Sequence, residues 1–352
     1  MPELPEVESA RRLVEKHCLG KKIKTAVVED DDKVFCTHTS EELKAMLEGS
    51  VISSTHRKGK QQWWKLGGGG SSDSGDYLGF QFGMTGCFLV KGVESTKYVN
   101  IKDNKQWPPR FVKLRLVFDG GTELAFCDSR RFARVRVYDK DPMECPPISL
   151  LGFDALTQMP ESEPFRESVL RQNVAIKAAL LEQKFAAGVG NYIADECLYQ
   201  AKLHPAARCC DLSDKQIESV RKSLAYVVKL ACDADADYTR FPSTWLFHYR
   251  WTGKQATKDA HGNRVEFIEV GSRTTAFAPA LQKKTDSAAS AAKQKAASTS
   301  KKATSTSKKA SGGTKKNTPS KRERGATKLV TPEDKKASTR VSPRLASRRR
   351  LR

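Results

Sequence analysis

The first apolar pattern along the chain has helical spacing. Val7, Ala10, Leu13 and Val14 fall on one face, Pro5 stands at the start and Gly20 beyond the end. The period then shortens to two. Lys22–Glu29, Val34–Thr37, Val51–Leu66, Tyr77–Val90, Arg110–Phe118 and Thr122–Tyr138 are rich in β-branched and aromatic residues, and Val112-Lys113-Leu114-Arg115-Leu116 alternates apolar with basic. Asp119-Gly120-Gly121 predicts a hairpin turn, and Gly67-Gly68-Gly69-Gly70-Ser71-Ser72 a flexible loop. After Pro142, Pro146 and Pro147 the spacing becomes helical again, at Phe165–Arg171, Val174–Gln183 and from Asn191 to about Gln200, where Ile193, Cys197, Leu198 and Ala201 share a face. Ser213 and Gln216 form a capping box ahead of Ile217, Val220, Leu224 and Val228. Arg264–Val270 and Thr274–Ala278 read as a closing hairpin, with turns at Thr252-Gly253 and His261-Gly262-Asn263. The predicted class is α+β: an N-terminal helix with an antiparallel β-sandwich (1–148), a helical domain (149–250), a β-hairpin (251–284) and a tail (285–352).

Charge changes the picture of the tail. From Leu281 to Arg352 there are 22 Lys and Arg against four acids, a net +18 that leaves +3 for the other 280 residues. That segment has no aromatic residue and too little apolar surface to fold, so a disordered polycation for nucleic acid is expected. Lys321-Arg322-Glu323-Arg324 and Arg348-Arg349-Arg350 have the form of nuclear-import signals. No apolar run is long enough to span a bilayer and no secretory signal opens the chain, so the expected setting is intracellular, away from membranes. None of the nine cysteines pairs at zinc-knuckle spacing, which predicts reduced, mostly buried thiols and neither metal nor cofactor.

The candidate chemistry begins at Met1-Pro2-Glu3-Leu4-Pro5-Glu6. Loss of Met1, which a small second residue favours, exposes a secondary amine whose pKa lies near ~8, so part of it is nucleophilic at neutral pH. Attack on an anomeric or carbonyl carbon gives an iminium ion, with Glu3 beside it as acid or base. The same residues also read as the acidic start of an ordinary amphipathic helix. Gly188-Val189-Gly190-Asn191 at a helix start could receive a phosphate on backbone N–H groups, with Asn191 as cap and amide donor, or could be a steric turn. Met84 in the loop Gly83-Met84-Thr85-Gly86, with Arg130, Arg131 and Phe132 in Asp128-Ser129-Arg130-Arg131-Phe132, could fill the space of an extruded base. Ordinary core packing is the competing reading for Met84 and Phe132. Lys60 and Arg273 are candidate phosphate contacts, or solvated charges.

These motifs, in this order, resemble the formamidopyrimidine-DNA glycosylases over residues 2 to about 284, and Leu4 resembles the formamidopyrimidine branch of that family. The resemblance implies Pro2 as the nucleophile at C1′, Glu3 as acid/base and Glu6 as its support. It implies Lys60, Asn191 and Arg273 on the flanking phosphates, Met84, Arg130 and Phe132 in the vacated duplex, and a helix–two-turn–helix motif around 174–200. Base excision would be followed by β- and δ-elimination. Lys254–Leu281 has no cysteine and resembles the metal-free "zincless finger" of plant and fungal members, and Phe241–Trp251 resembles the same branch, in the place of the loop that bacterial members fold over 8-oxoguanine. The implied substrates are ring-opened formamidopyrimidines and hydantoins in damaged double-stranded DNA, with 8-oxoguanine left open. The implied protein is a nuclear monomer. Two rivals remain from the residues alone: a non-catalytic damaged-DNA-binding protein of the same fold, and an N-terminal-proline tautomerase.

Overall fold

The computed structural model describes residues 2–68, 76–95, 98, 106–251 and 257–284. Most of the glycine-serine loop, the Thr252-Gly253 turn and the basic tail lie outside the described residues. The chain opens on α1 (Leu4–Cys18), with a glutamate in its first turn and Pro5 where a missing N–H has no cost. There follow β1 (Ile23–Val28), α2 (Ser40–Leu47), β2 (Val51–Lys58), β3 (Gln61–Gly67), β4 (Tyr77–Gln81), β5 (Cys87–Val90), β6 (Val112–Phe118), β7 (Glu123–Cys127) and β8 (Arg134–Tyr138). They form two four-stranded antiparallel sheets, ordered β1-β6-β7-β5 and β2-β3-β4-β8. Trp64, Phe80, Phe88 and Phe126 from both sheets meet with ring centroids 4.5–5.2 Å apart. Their tilted and edge-on packing is the arrangement that aromatic quadrupoles favour.

Two sequence expectations need correction here. Val34–Thr37 is not a strand: Asp31 accepts the N–H groups of Lys33 and Val34, which curls the chain into a turn, and Phe35 keeps only an isolated bridge to Val135. Residues 40–47, unassigned in the sequence pattern, form α2. Its signal was present, because Thr39 and Glu42 make a reciprocal capping box ahead of buried Leu43 and Leu47.

The second half contains β9 (Phe153–Asp154), α3 (Ser162–Leu170), α4 (Ile176–Leu181), β10 (Ala186–Ala187), α5 (Asn191–Gln200), α6 (Asp214–Asp233), β11 (Thr257–Lys258), β12 (Arg264–Val270) and β13 (Arg273–Phe277). β9 and β10 pair in parallel, and β11 adds a third strand to the expected hairpin. α1 belongs to both halves. Leu4 packs in the helical core with Phe165 and Leu198, while Val7, Ala10 and Val14 pack in the sandwich core. Arg57, with a side chain 2% exposed, ties the halves together by pairing with Glu8 of α1 at 3.0 Å and Asp154 of β9 at 2.5 Å. Removing one partner would leave a buried charge uncompensated.

Of the cysteines, Cys18, Cys87, Cys127, Cys197, Cys209 and Cys232 are buried. Among the described residues no three His, Cys, Asp or Glu side chains converge as a metal cluster, and no helix is long and apolar enough to cross a membrane.

Candidate active site

Glu3 begins α1 but serves another helix. Its Oε1 accepts the Tyr192 N–H at 3.0 Å and its Oε2 the Ile193 N–H at 3.2 Å. These are donors of the first turn of α5, which lacks a side-chain cap of its own. Glu3 therefore sits where the helix dipole favours an anion. A Cβ on Gly190 would lie 2.1 Å from Glu3 Cδ, so the glycine is a requirement of space. Gly188 has φ +91° and its carbonyl accepts the Leu4 N–H at 3.1 Å, so the two ends of this contact are locked by backbone as well. The expectation that the backbone N–H groups of this helix start receive a phosphate, and that Asn191 caps it, is thus corrected. The Tyr192 and Ile193 N–H groups already hold a carboxylate, Gly190 occupies the cap position, and Asn191 Nδ2 donates to the Thr274 carbonyl at 3.0 Å.

Glu6 completes a closed set of contacts. Its Oε2 accepts the Glu3 N–H at 2.8 Å and its Oε1 the Tyr192 hydroxyl at 3.0 Å. Burial, reinforced by the neighbouring Glu3 charge, raises the Glu6 carboxyl to about 7. Burial also raises Glu3, against the opposing pull of Lys60 and the two α5 amides. Lys60 lies in the turn between β2 and β3, where burial lowers its ammonium pKa while Glu3 and Glu6 work the other way. Its Nζ donates to the Val189 carbonyl at 2.9 Å, a carbonyl that Gln183 Nε2 also reaches at 2.9 Å. Two acids and a lysine whose environments push them from their ordinary values are what proton-transfer chemistry near neutral pH needs.

Pro2 is buried at the wall between two cavities. The first, about 270 Å³, is lined by Glu6, Tyr192, Tyr238, Phe241, Phe247 and Trp251 among others. The second, about 330 Å³, is lined by Lys60, Gln183, Asn191 and Arg273 together with the apolar Val7, Phe82 and Leu181, among others. Met84 borders both and is 38% exposed, so core packing does not account for it. Phe132 is 47% exposed with the Arg130 guanidinium 4.9 Å above its ring. The two loops are one construction: Asp128 accepts from the Thr85 hydroxyl, from the Arg130 N–H at 3.1 Å and from the Ala133 N–H at 2.7 Å. Arg131 is placed differently from the other candidates of its loop. Its guanidinium donates to Asp31 at 2.8 and 2.9 Å, which anchors the loop to the sandwich.

Arg273 is exposed at the first position of β13, opposite Val270 across the Gly271-Ser272 turn. That hairpin is fixed by Asp195 of α5, which accepts the Ala276 N–H at 3.2 Å and pairs with Lys177 at 2.6 Å and Arg250 at 2.7 Å. Tyr192 and Gln183 were not singled out from the sequence. A signal existed for Asp195, an acid beside Glu196 in a helix that carries Ile193, Cys197 and Leu198, but its partners lie far away in sequence.

A sequence model of the Formamidopyrimidine-DNA glycosylase N-terminal domain matches residues 1–135, and one of the Formamidopyrimidine-DNA glycosylase H2TH domain matches residues 151–243. The chain is 43% identical over 285 residues to a formamidopyrimidine-DNA glycosylase of Arabidopsis thaliana, covering 80% of this chain and 71% of the relative. It is 30% identical to a Listeria monocytogenes enzyme of that name, covering 80% of this chain and all of the relative. Among solved structures, Lactococcus lactis formamido-pyrimidine DNA glycosylase bound non-covalently to DNA containing an abasic site matches with a TM-score of 0.66 at 26% identity, over 80% of this chain and all of that one. The same Lactococcus protein with DNA carrying a ring-opened guanine matches at 0.65 and 26%, with the same coverage. With both domains matched in order along a chain that spans most of these relatives, the protein belongs to the formamidopyrimidine-DNA glycosylase family.

Proposed function

We propose that this chain is a bifunctional DNA glycosylase and abasic-site lyase of base excision repair, acting on ring-opened formamidopyrimidines and hydantoins in duplex DNA. The observation that carries the reading is the position of Pro2, at the shared wall of a cavity with several aromatic side chains and one that holds Lys60 and Arg273, beside buried Glu3 and Glu6. With Met1 removed, the Pro2 nitrogen forms a bond to C1′ of an extruded nucleotide, the damaged base leaves with the electrons of its glycosidic bond, and the proton shed by the Pro2 nitrogen neutralises it. Glu3 protonates O4′ as the C1′–O4′ bond opens, which leaves an iminium ion between Pro2 and the sugar. The iminium makes a C2′ proton acidic. Its removal expels the 3′ phosphate, a second elimination expels the 5′ phosphate, and water then releases Pro2.

Glu6 holds the Glu3 backbone and Tyr192 in register. Lys60, Asn191 and Arg273 take the phosphates flanking the nucleotide. Met84, Arg130 and Phe132 fill the vacated stack. Arg131, committed to Asp31, holds the loop that carries them. In this reading the chain works as a monomer in the nucleus, with residues 1–148 as catalytic sandwich, 149–250 as helical DNA-binding domain, 251–284 as finger and 285–352 as a basic tail that adds salt-dependent affinity.

The test is borohydride trapping on a duplex with one abasic site, followed by mass spectrometry of the cross-linked peptide. The expected adduct is at Pro2, and Pro2→Gly should lower base excision by at least about 10²-fold. A correctly processed chain that gives no adduct would move the reading to a non-catalytic damaged-DNA binder.

A further inference from the structure

One residue of the aromatic cavity is built in a way that packing does not require. Trp251 is 61% exposed, the most exposed of the large apolar side chains among the described residues, yet it is held from two directions. The Arg250 guanidinium lies 4.6 Å from its ring, and Phe247 meets it edge-on at 5.3 Å between centroids. Arg250 is itself nearly buried, with a side chain 6% exposed, and its Nη2 pairs with Asp195 at 2.7 Å. Phe247 is fixed through its N–H, which donates to buried Glu196 at 2.9 Å, and by an edge-on contact with Tyr192 at 5.3 Å. Solvent would ordinarily leave an exposed tryptophan free to move. Here a buried carboxylate, a desolvated guanidinium and an aromatic neighbour order it while much of its surface stays open. On the guanidinium side this cation–π contact is desolvated, which strengthens it. Trp251 lines the cavity that Pro2 and Glu6 also border.

We infer that Trp251 is the stacking platform for the extruded base, with Arg250 as its positioning residue. The inference rests on the reading of Pro2 as nucleophile and adds to it the group that recognises the base rather than the sugar. An aromatic face suits any planar ring and asks for no particular hydrogen-bond pattern, so the platform selects a flat, purine-derived base over an empty site. The ligand is thus the planar ring of an oxidised purine, held against Trp251 while Pro2 attacks the sugar.

The experiment compares two substrates on the full chain: a duplex with one ring-opened guanine and the same duplex with a preformed abasic site, which has no base to stack. Trp251→Ala should lower the ratio of base excision to abasic-site nicking by about 10-fold or more, and Trp251→Phe should restore most of it. An unchanged ratio would overturn the platform. Because the side chain is exposed, its removal opens no core cavity, and a variant that lost both activities equally would also count against the inference. A wild-type chain that nicks neither duplex would instead remove the enzymatic reading, and with it the role given to Trp251.

Discussion

The two cavities that meet at Pro2 differ in where their aromatic rings and their cations fall. On one side Tyr192, Tyr238, Phe241, Phe247 and Trp251 supply aromatic surface, with edge-on contacts centred on Phe247. On the other, Lys60, Asn191, Gln183 and Arg273 set donors and positive charge into a wall that also holds Val7, Phe82 and Leu181. A nucleotide has the same division. Its base presents a flat π-face, and its phosphates present charge that is largely indifferent to sequence. The contrast teaches that recognition of the lesion and grip on the backbone are separable here, with Pro2 at the sugar between them. It also explains why α5 is buried on nearly every side. Its first turn holds Glu3, Asp195 anchors the hairpin with Arg273 and the Arg250–Trp251 segment, and Glu196 holds Phe247.

The separation can be broken from the cationic side first. Lys60→Ala should weaken binding to an abasic-site duplex roughly 10- to 100-fold and reduce the salt slope of affinity by about one. Local structure should survive, because Gln183 still donates to the Val189 carbonyl. Fluorescence anisotropy across a salt series measures both quantities, and an unaltered slope would remove Lys60 from the phosphate grip.

Glu6 sharpens the comparison through stability. Its carboxyl, an ordinary acid in the unfolded chain, titrates at about 7 when buried. Between those two values the unfolded chain releases a proton that the folded one keeps, so rising pH drains stability through that window and no further above it. Glu6→Gln should therefore raise stability at pH 8, by on the order of 2 kcal/mol, and change it little below pH 4.5. Excision should still fall, since the replacement cannot carry the charge that faces Glu3 and Lys60. Thermal unfolding at the two pH values gives the answer, and an equal shift at both would mean that Glu6 is not the titrating group.

The smallest effect separates two neighbours of one loop. Arg130→Ala should lower the salt slope by about one, whereas Arg131→Ala should leave it at the wild-type value, because that guanidinium already faces Asp31. Equal losses from both would show that the Asp31 pair yields to DNA.

Much of this molecule was legible from its residues. Val7, Ala10 and Val14 announced α1, Asp119-Gly120-Gly121 the β6–β7 hairpin, and the spacing of 264–278 the final strands, because each signal lies within a few residues of the structure it sets. The short order of motifs also sufficed to bring Pro2, Glu3, Lys60, Asn191 and Arg273 under one hypothesis. Failures came where local cues conflicted or ran short. The acidic run Asp30-Asp31-Asp32 bent a β-branched segment out of strand geometry, and a one-box helix of eight residues was lost among strands.

What the sequence could not decide was which partner each polar group would take. Glu3 lies 189 residues from the amide it caps, Asp195 is 81 from the hairpin N–H it accepts, and Arg131 is 100 from Asp31. Local periodicity and capping chemistry choose helices, strands and turns, since those depend on near neighbours along the chain. The docking of α1 on α5 alone turned a helix-start glutamate into the cap of a distant helix. The same docking drew two carboxylates and a lysine out of water, and desolvation, the force that tunes them, is a property of the packed interior that no stretch of sequence carries by itself.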